Sequence, residues 1–429
     1  MISKLNDIVI NKTKTFRQDE LVKAGGIFLA GSLSASILNY LYHVFMGRML
    51  GPAEYGILGS LFAVIYLTTF AGNTFSRVVS KYSAEFKGKK QNAELKYLIK
   101  RGLFKVSIYG FILLMIYFLF IPSIAEFMNL ENYSGLIIVG TIGYLSVLTS
   151  VVTGALNGLQ KFVWQNSLGF VSAVLKFGLA VFLVYLGFGV NGALIGAGIG
   201  IITILIVGFF PLKDDLKSKI AEKINTKEIY FYAVPVLIAA ILPLIMITFD
   251  QILVKHFFSS YDAGHYAAAG NIAKIIWFGS GFLISAMFPK IVSMKAQGKD
   301  ASRILIKGLI YTSFFVLIGA GILFATPRLI VSIMYGAEYL DIVSFVGLFG
   351  LALGLFAINE ILIMYNLAVE KYNFLWIVLA GVLLEFAGII SFHSSLSDII
   401  KIILLSQAFI MIGMMIYNRK ELFNGNGDK

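Results

Sequence analysis

The sequence has no cysteine, so disulfides, thiolate metal sites and thiol nucleophiles are excluded. Charge is sparse, at 14% of residues, and only 23 residues are acidic. None of those acids falls inside the first six long apolar stretches. The four histidines, His43, His256, His265 and His393, lack metal-ligand spacing, so no metal site is expected. There is no GxxxxGK[ST] loop, which argues against ATP hydrolysis by the chain itself. No polar stretch is long enough to form an external domain carrying catalytic residues. Neither enzyme activity nor a cofactor is expected.

What fills the chain is apolar. It is 58% hydrophobic with a mean hydropathy of +0.85, more than a soluble protein of 429 residues can bury. Twelve stretches, at about 24–47, 55–76, 102–121, 134–156, 166–188, 192–210, 229–251, 265–288, 304–325, 342–365, 374–392 and 399–417, each approach the roughly 20 residues needed to cross about 30 Å of hydrocarbon. The reading is an all-α polytopic membrane protein. Of its 35 Lys and Arg, only Arg48, Lys255 and Arg328 fall in loops on one side, and nearly all the rest lie on the other. The positive-inside rule then puts both termini in the cytoplasm of a cell-membrane protein. The net charge of +12 is read as this topology signal together with attraction to anionic lipid, not as a nucleic-acid footprint. The polar start of the chain lacks the features of a cleaved signal peptide.

The halves match at an offset of about 210 residues. Ala53-Glu54-Tyr55-Gly56 pairs with Asp262-Ala263-Gly264-His265-Tyr266, Gly88-Lys89 with Gly298-Lys299, and Lys161-Phe162 with Lys371-Tyr372. Six spans per half is an even number, so this is a parallel repeat of two six-helix lobes, an arrangement used for alternating access. The expected organisation is a cytoplasmic segment 1–23, an N-lobe 24–211, a linker 212–229, a C-lobe 230–417 and a tail 418–429. Pro235 and Pro243 should break the seventh span, and Gly25 and Gly26 should soften the first, its counterpart. Both helices are gating candidates, with ordinary packing as the alternative.

The run Gly47-Arg48-Met49-Leu50-Gly51-Pro52-Ala53-Glu54-Tyr55-Gly56 resembles the first-loop signature of Wzx-like polysaccharide flippases. These belong to the multidrug/oligosaccharidyl-lipid/polysaccharide (MOP) exporter superfamily. Phe249-Asp250-Gln251-Ile252-Leu253-Val254, then Ala263-Gly264-His265-Tyr266 and Phe288-Pro289, are similar to that family's seventh and eighth spans. The resemblance implies a MATE-like, V-shaped pair of lobes around a central cavity. It also implies a polyprenyl- or dolichyl-linked glycan as substrate, moved to the outer leaflet among membrane lipids, with glycan polymerase or glycosyltransferase machinery as possible company. Three readings compete with it. One is a multidrug or small-cation antiporter of the same superfamily, disfavoured by the acid-free first six spans. The others are a glycan polymerase or ligase, and a non-transporting envelope protein.

Ionisable groups at bilayer depth are functional candidates because they are costly. Lys274, with Asn271 one turn earlier, is the expected phosphate anchor, and an Asp250–Lys274 structural pair is the alternative. Lys176 and Glu385 occupy equivalent spans and suit a latch between lobes, unless each has its own local partner. Glu360 either carries a coupling proton or reaches toward the surface. Arg48 and Arg77 either steer phosphate or anchor the helix ends. Asn39 and Asn73 either line the cavity or bond between helices.

Overall fold

Hydrocarbon offers backbone groups no hydrogen-bond partner, so a chain this apolar must satisfy them within helices. The computed structural model describes residues 20–217 and 241–423, and among them there is no β-strand. Helix α1 runs Glu20–Gly88 but is interrupted at Gly51 (φ 71°, ψ 172°), immediately before Pro52. Pro52 cannot donate to the helix and forces its predecessor out of the helical region, and only glycine takes this positive φ without strain. The expected loop between the first two spans is therefore a kink, and α1 has two arms. Next come α2 (Asn92–Phe127) and α3 (Ser134–Gly158). Helices α4 (Phe162–Leu183) and α5 (Gly189–Val207) are joined through one widened turn, Val184–Phe188. The remainder are α6 (Phe249–Phe257), α7 (Ser260–Ala296), α8 (Ser302–Ala325), α9 (Pro327–Met334), α10 (Val346–Ala368), α11 (Leu375–Ser391), α12 (Leu396–Tyr417) and α13 (Arg419–Phe423).

Among the described residues, seven helical stretches are long and apolar enough to cross a membrane. Two of them, Gly31–Gly88 and Phe162–Leu212, have 58 and 51 residues. At about 1.5 Å per residue each exceeds roughly 70 Å, far more than one crossing requires. The chain is a multi-pass membrane protein.

One sequence expectation is corrected. The loop expected around 327–341 is instead α9 followed by a tight helical turn, Ala337–Ser344. Its apolar side chains Val331, Tyr335, Tyr339 and Ile342 are all buried, which folds the segment down as a helix rather than leaving it as a solvated loop. In the seventh span, residues 241–246, including Pro243, are helical, and the break comes at 247–248. A proline ring disturbs the carbonyl four residues before it, and that position lies outside the described residues, as does Pro235. Gly25 and Gly26 are in the helical start of α1.

The chain forms two compact units. The first comprises Met1–His43, Thr68–Ile124 and Asn132–Leu237. The second comprises Val44–Leu67, Ala125–Glu131 and Ile238–Lys429, so the parts of α1 flanking Gly51 pack with the second half of the chain. In the first unit, small residues bring helices to backbone contact. A Cβ on Gly154 or Gly158 of α3 would lie 2.6 Å from Ser76 O or 2.3 Å from Ser80 O of α1. Gly196 and Gly200 of α5 approach Lys176 O and Ser172 O of α4 in the same way, at 2.8 and 2.9 Å. In the second unit, Leu305, Phe356, Leu362, Phe374 and Met414 are at the centre of an apolar core.

One pair of helix ends, each carrying its own ion pair, matches at the offset of the repeat. Gln160 (φ 57°) and Glu370 (φ 59°) close α3 and α10 in the left-handed region. The next residues, Lys161 and Lys371, donate their backbone N–H to Leu156 O and Asn366 O, both at 2.9 Å. Their side chains pair with Asp215 and Glu421 respectively.

Candidate functional site

Within the second unit, the part of α1 around Gly51 meets α7 and α9 in a closed seam. Helix crossing is tightest at two glycines. A Cβ on Gly56 would lie 2.0 Å from Ser260 O, and one on Gly264 would lie 1.8 Å from Pro52 O. Arg48 tightens the seam from the side. Its Nε donates to Met334 O at 2.9 Å, and its Nη2 donates to Ile333 O at 2.5 Å and Ser332 O at 3.2 Å. These carbonyls lie in the last turn of α9, where backbone acceptors run short of helical donors, so a cation is a natural cap. Tyr339 Oη donates to Gly47 O at 2.8 Å. Tyr55 Oη contacts Tyr335 Oη at 3.3 Å, and Asn271 Nδ2 donates to Tyr55 Oη at 2.5 Å. The seam continues at the α2–α3 turn, where fully buried Lys255 donates to Asn129 O at 3.1 Å and Asn129 Nδ2 donates to His256 O at 2.8 Å. Two of the three cations that sequence assigns to this side are thus spent on backbone carbonyls.

Deeper in the same unit are the ionisable groups. Asp250 is buried near the start of α6, where Tyr266 Oη donates to its Oδ2 at 2.5 Å. Its other oxygen, Oδ1, has no hydrogen-bond partner among the described residues. Glu385 on α11 is 1% exposed, and its Oε2 likewise has no hydrogen-bond partner among the described residues. Phe249 and Phe386, with ring centroids 4.9 Å apart, hold α6 against α11, and the two carboxylates are close enough to repel each other. An unpaired buried carboxylate oxygen costs on the order of 1–3 kcal/mol or more. A proton or a monovalent cation would remove that cost.

Lys274 is half-buried in mid-α7. It feels the charge of Asp250, but no contact-distance ion pair forms between them, and no hydrogen bond reaches Lys274 among the described residues. The structural-pair alternative is therefore not what the geometry presents. Asn271, expected beside Lys274, is turned to Tyr55 instead, because the tyrosine hydroxyl offers a buried acceptor. Glu360 accepts from Trp277 Nε1 at 2.7 Å and does not reach for the surface.

In the first unit, Lys176 Nζ donates to Asn39 Oδ1 at 3.1 Å and lies over the Tyr42 ring at 4.2 Å, a local set of partners. Asn73 and Arg77 are exposed on the second arm of α1. Asp215, outside the apolar spans, is gripped by Lys161 at 2.5 Å and Lys87 at 2.8 Å. Burial pushes its pKa up, but the two lysines' hydrogen bonds and charges outweigh burial and hold it below the usual carboxylate value. Sequence reading did not single out Tyr55, Tyr266, Trp277, Tyr335 or Tyr339. The signal available was the repeated Tyr-Gly and Gly-His-Tyr wording of the paired motifs, which marks close helix approach with an aromatic beside it.

A family model described as "Polysaccharide biosynthesis protein" matches residues 21–295. No curated protein matches the chain in sequence. Among solved structures, the fold is similar to that of an inward-facing multidrug resistance MATE family transporter of the MOP superfamily, with a TM-score of 0.77 and 12% identity over 92% of this chain and 96% of that one. Lipid II flippase MurJ in an inward closed conformation gives a TM-score of 0.72 and 16% identity over 92% and 88%. The eukaryotic MATE transporter AtDTX14 gives 0.64 and 14% over 94% and 97%.

Proposed function

Because this chain belongs to the polysaccharide biosynthesis protein family and has the fold of the MOP superfamily, we propose that it is a flippase for a polyprenyl-phosphate- or pyrophosphate-linked oligosaccharide. In this reading it has twelve spans in two six-helix lobes, with both termini cytoplasmic. The seam at Arg48 faces outward and is the gate that opens to release the glycan.

The observation that carries the reading is Lys274. A mid-span cation that makes no hydrogen bond or contact-distance ion pair among the described residues is costly, and a substrate phosphate would offset that cost. Lys176, held by Asn39, is a second candidate phosphate-binding cation, within the first unit. Asp250 and Glu385 couple movement to a proton or monovalent cation that satisfies their open oxygens. Arg77 and Asn73, exposed on the second arm of α1, guide the phosphate.

The test is transfer of a lipid-linked oligosaccharide across proteoliposomes. Lys274→Ala should lose at least tenfold in rate while the purified protein melts at an unchanged temperature, and Lys274→Arg should retain more. Normal transport by a stable Lys274→Ala variant would overturn the anchor role.

A further inference from the structure

Helix α8 has 24 residues, about 36 Å at roughly 1.5 Å per residue, enough for one crossing of a hydrocarbon core about 30 Å thick. It ends beside the start of α10, another helix long and apolar enough to cross: a Cβ on Gly347 would lie 2.7 Å from the Phe324 ring. The segment 326–345 that joins them is therefore at one surface of the bilayer. Helix α9 begins there at Pro327, which cannot continue the hydrogen bonding of α8. Its eight residues extend only about 12 Å, too short to cross.

The helical repeat gives α9 three sides. Val331 and, just past the helix end, Tyr335 are buried, the tyrosine in the seam. Leu329 and Ile333, one turn apart, are 58% and 64% exposed. Arg328 and Ser332, also exposed, occupy the third side. Two large aliphatic side chains on one exposed face suit lipid rather than water. The face also follows directly on exposed Ile322 and Phe324, so the lipid-facing surface of α8 runs up to the start of α9. Beyond α9, Glu338 and Asp341 are exposed on the next turn, and acids at that position put the chain back in water. Helix α9 thus lies where hydrocarbon gives way to water. Ile333 links this position to the seam: its side chain is exposed, while its carbonyl accepts from Arg48 Nη2 at 2.5 Å.

We propose that α9 is an interfacial helix whose partner is the surface of the phospholipid bilayer. Leu329 and Ile333 enter the acyl layer, Arg328 meets the lipid phosphates, and Val331 keeps the helix on the protein. The bilayer thereby holds one wall of the seam, because the carbonyls at the end of α9 are those that Arg48 caps. This depends on the chain's being a multi-pass membrane protein and not on the flippase reading.

The test is site-directed spin labelling of the full-length protein in proteoliposomes of phosphatidylcholine and phosphatidylglycerol, which the absence of native cysteine permits. Arg328→Cys, Leu329→Cys, Ser332→Cys and Ile333→Cys are labelled singly. Leu317→Cys on the exposed side of α8 is the lipid reference, and Asp341→Cys is the water reference. The ratio of collision with oxygen to collision with a water-soluble nickel chelate should be at least threefold higher at 329 and 333 than at 328 and 332. It should approach the lipid reference at the first pair and the water reference at the second. Equal, water-like ratios at all four positions would overturn the proposal. So would shielding of 329 and 333 from both reagents, which would assign the face to a protein partner. The link to the seam is read with Leu329→Asn/Ile333→Asn in a Leu58→Cys background, where maleimide labelling in proteoliposomes should rise at least fivefold. No rise in a folded variant would overturn that link. Every spin-labelled position is exposed, so the scan stays decisive if the double variant misfolds.

Discussion

Gly264 and Pro52 are in backbone contact: a Cβ on Gly264 would lie 1.8 Å from the Pro52 carbonyl oxygen. No rotamer change relieves that clash, since both partners are main chain. Gly264→Ala should therefore prevent the seam from closing while sparing the cores elsewhere, at a cost of about 1–3 kcal/mol to the closed state. The chain's lack of cysteine makes the check clean. Leu58, fully buried in the same stretch, can be replaced by cysteine and challenged with a maleimide. Labelling should be at least tenfold faster with Gly264→Ala than without it. Equal rates in two well-folded proteins would mean that the seam does not depend on this approach.

Arg48 offers a second way to loosen the seam. Its guanidinium serves three carbonyls of α9, and charged hydrogen bonds contribute on the order of 1.5–3 kcal/mol before solvent exposure reduces them. Arg48→Ala should lower the melting temperature by several degrees. Arg48→Lys should recover less than half of the loss, because an ammonium cannot reproduce the planar fork. Full rescue by lysine in a thermal-shift assay would show that charge near the helix end is enough.

The open oxygens of Asp250 and Glu385 lead to a prediction about energy supply. Asp250→Asn and Glu385→Gln each remove a charge from a buried site and should leave stability unchanged or slightly raised. Transport should then stop responding to an imposed ion or proton gradient. If both variants keep the full gradient response in proteoliposomes, coupling lies elsewhere.

Much of this was legible in the sequence, and the reasons differ from feature to feature. That the chain is multi-pass was readable because burial in lipid demands continuous apolar runs. The Gly51-Pro52 kink was readable as a boundary but not as a kink, since residue type gives the break without the angle. Helix α9 was missed because a short amphipathic segment between polar residues looks like a loop until its partner surface is known. The charges were found by their cost, but their partners were not. That Asn271 turns to Tyr55, and that Arg48 caps α9, depends on contacts nearly 220 or more residues apart in sequence. Local pattern carries no record of such pairs.

Asp215 sets a pH dependence whose sign can be worked out. Its folded pKa is lower than the model-peptide value of 3.8, because Lys161 and Lys87 favour the carboxylate over the acid more than burial disfavours it. A carboxylate with a depressed folded pKa contributes stability that is fully present above the unfolded value. That contribution disappears as pH falls through the folded value. The Asp215 clamp is thus intact at neutral pH and releases only below about pH 3.8. Lys87 is largely exposed and Lys161 partly so, and the contribution should be about 1 kcal/mol. Asp215→Asn should lower the melting temperature at pH 7, and the gap to the unaltered protein should close as the pH is taken below 3.8. A gap that is constant from pH 7 down to the acid limit would mean that the side chain acts through packing alone. In that case the matching Lys371–Glu421 pair in the other half would be expected to behave the same way.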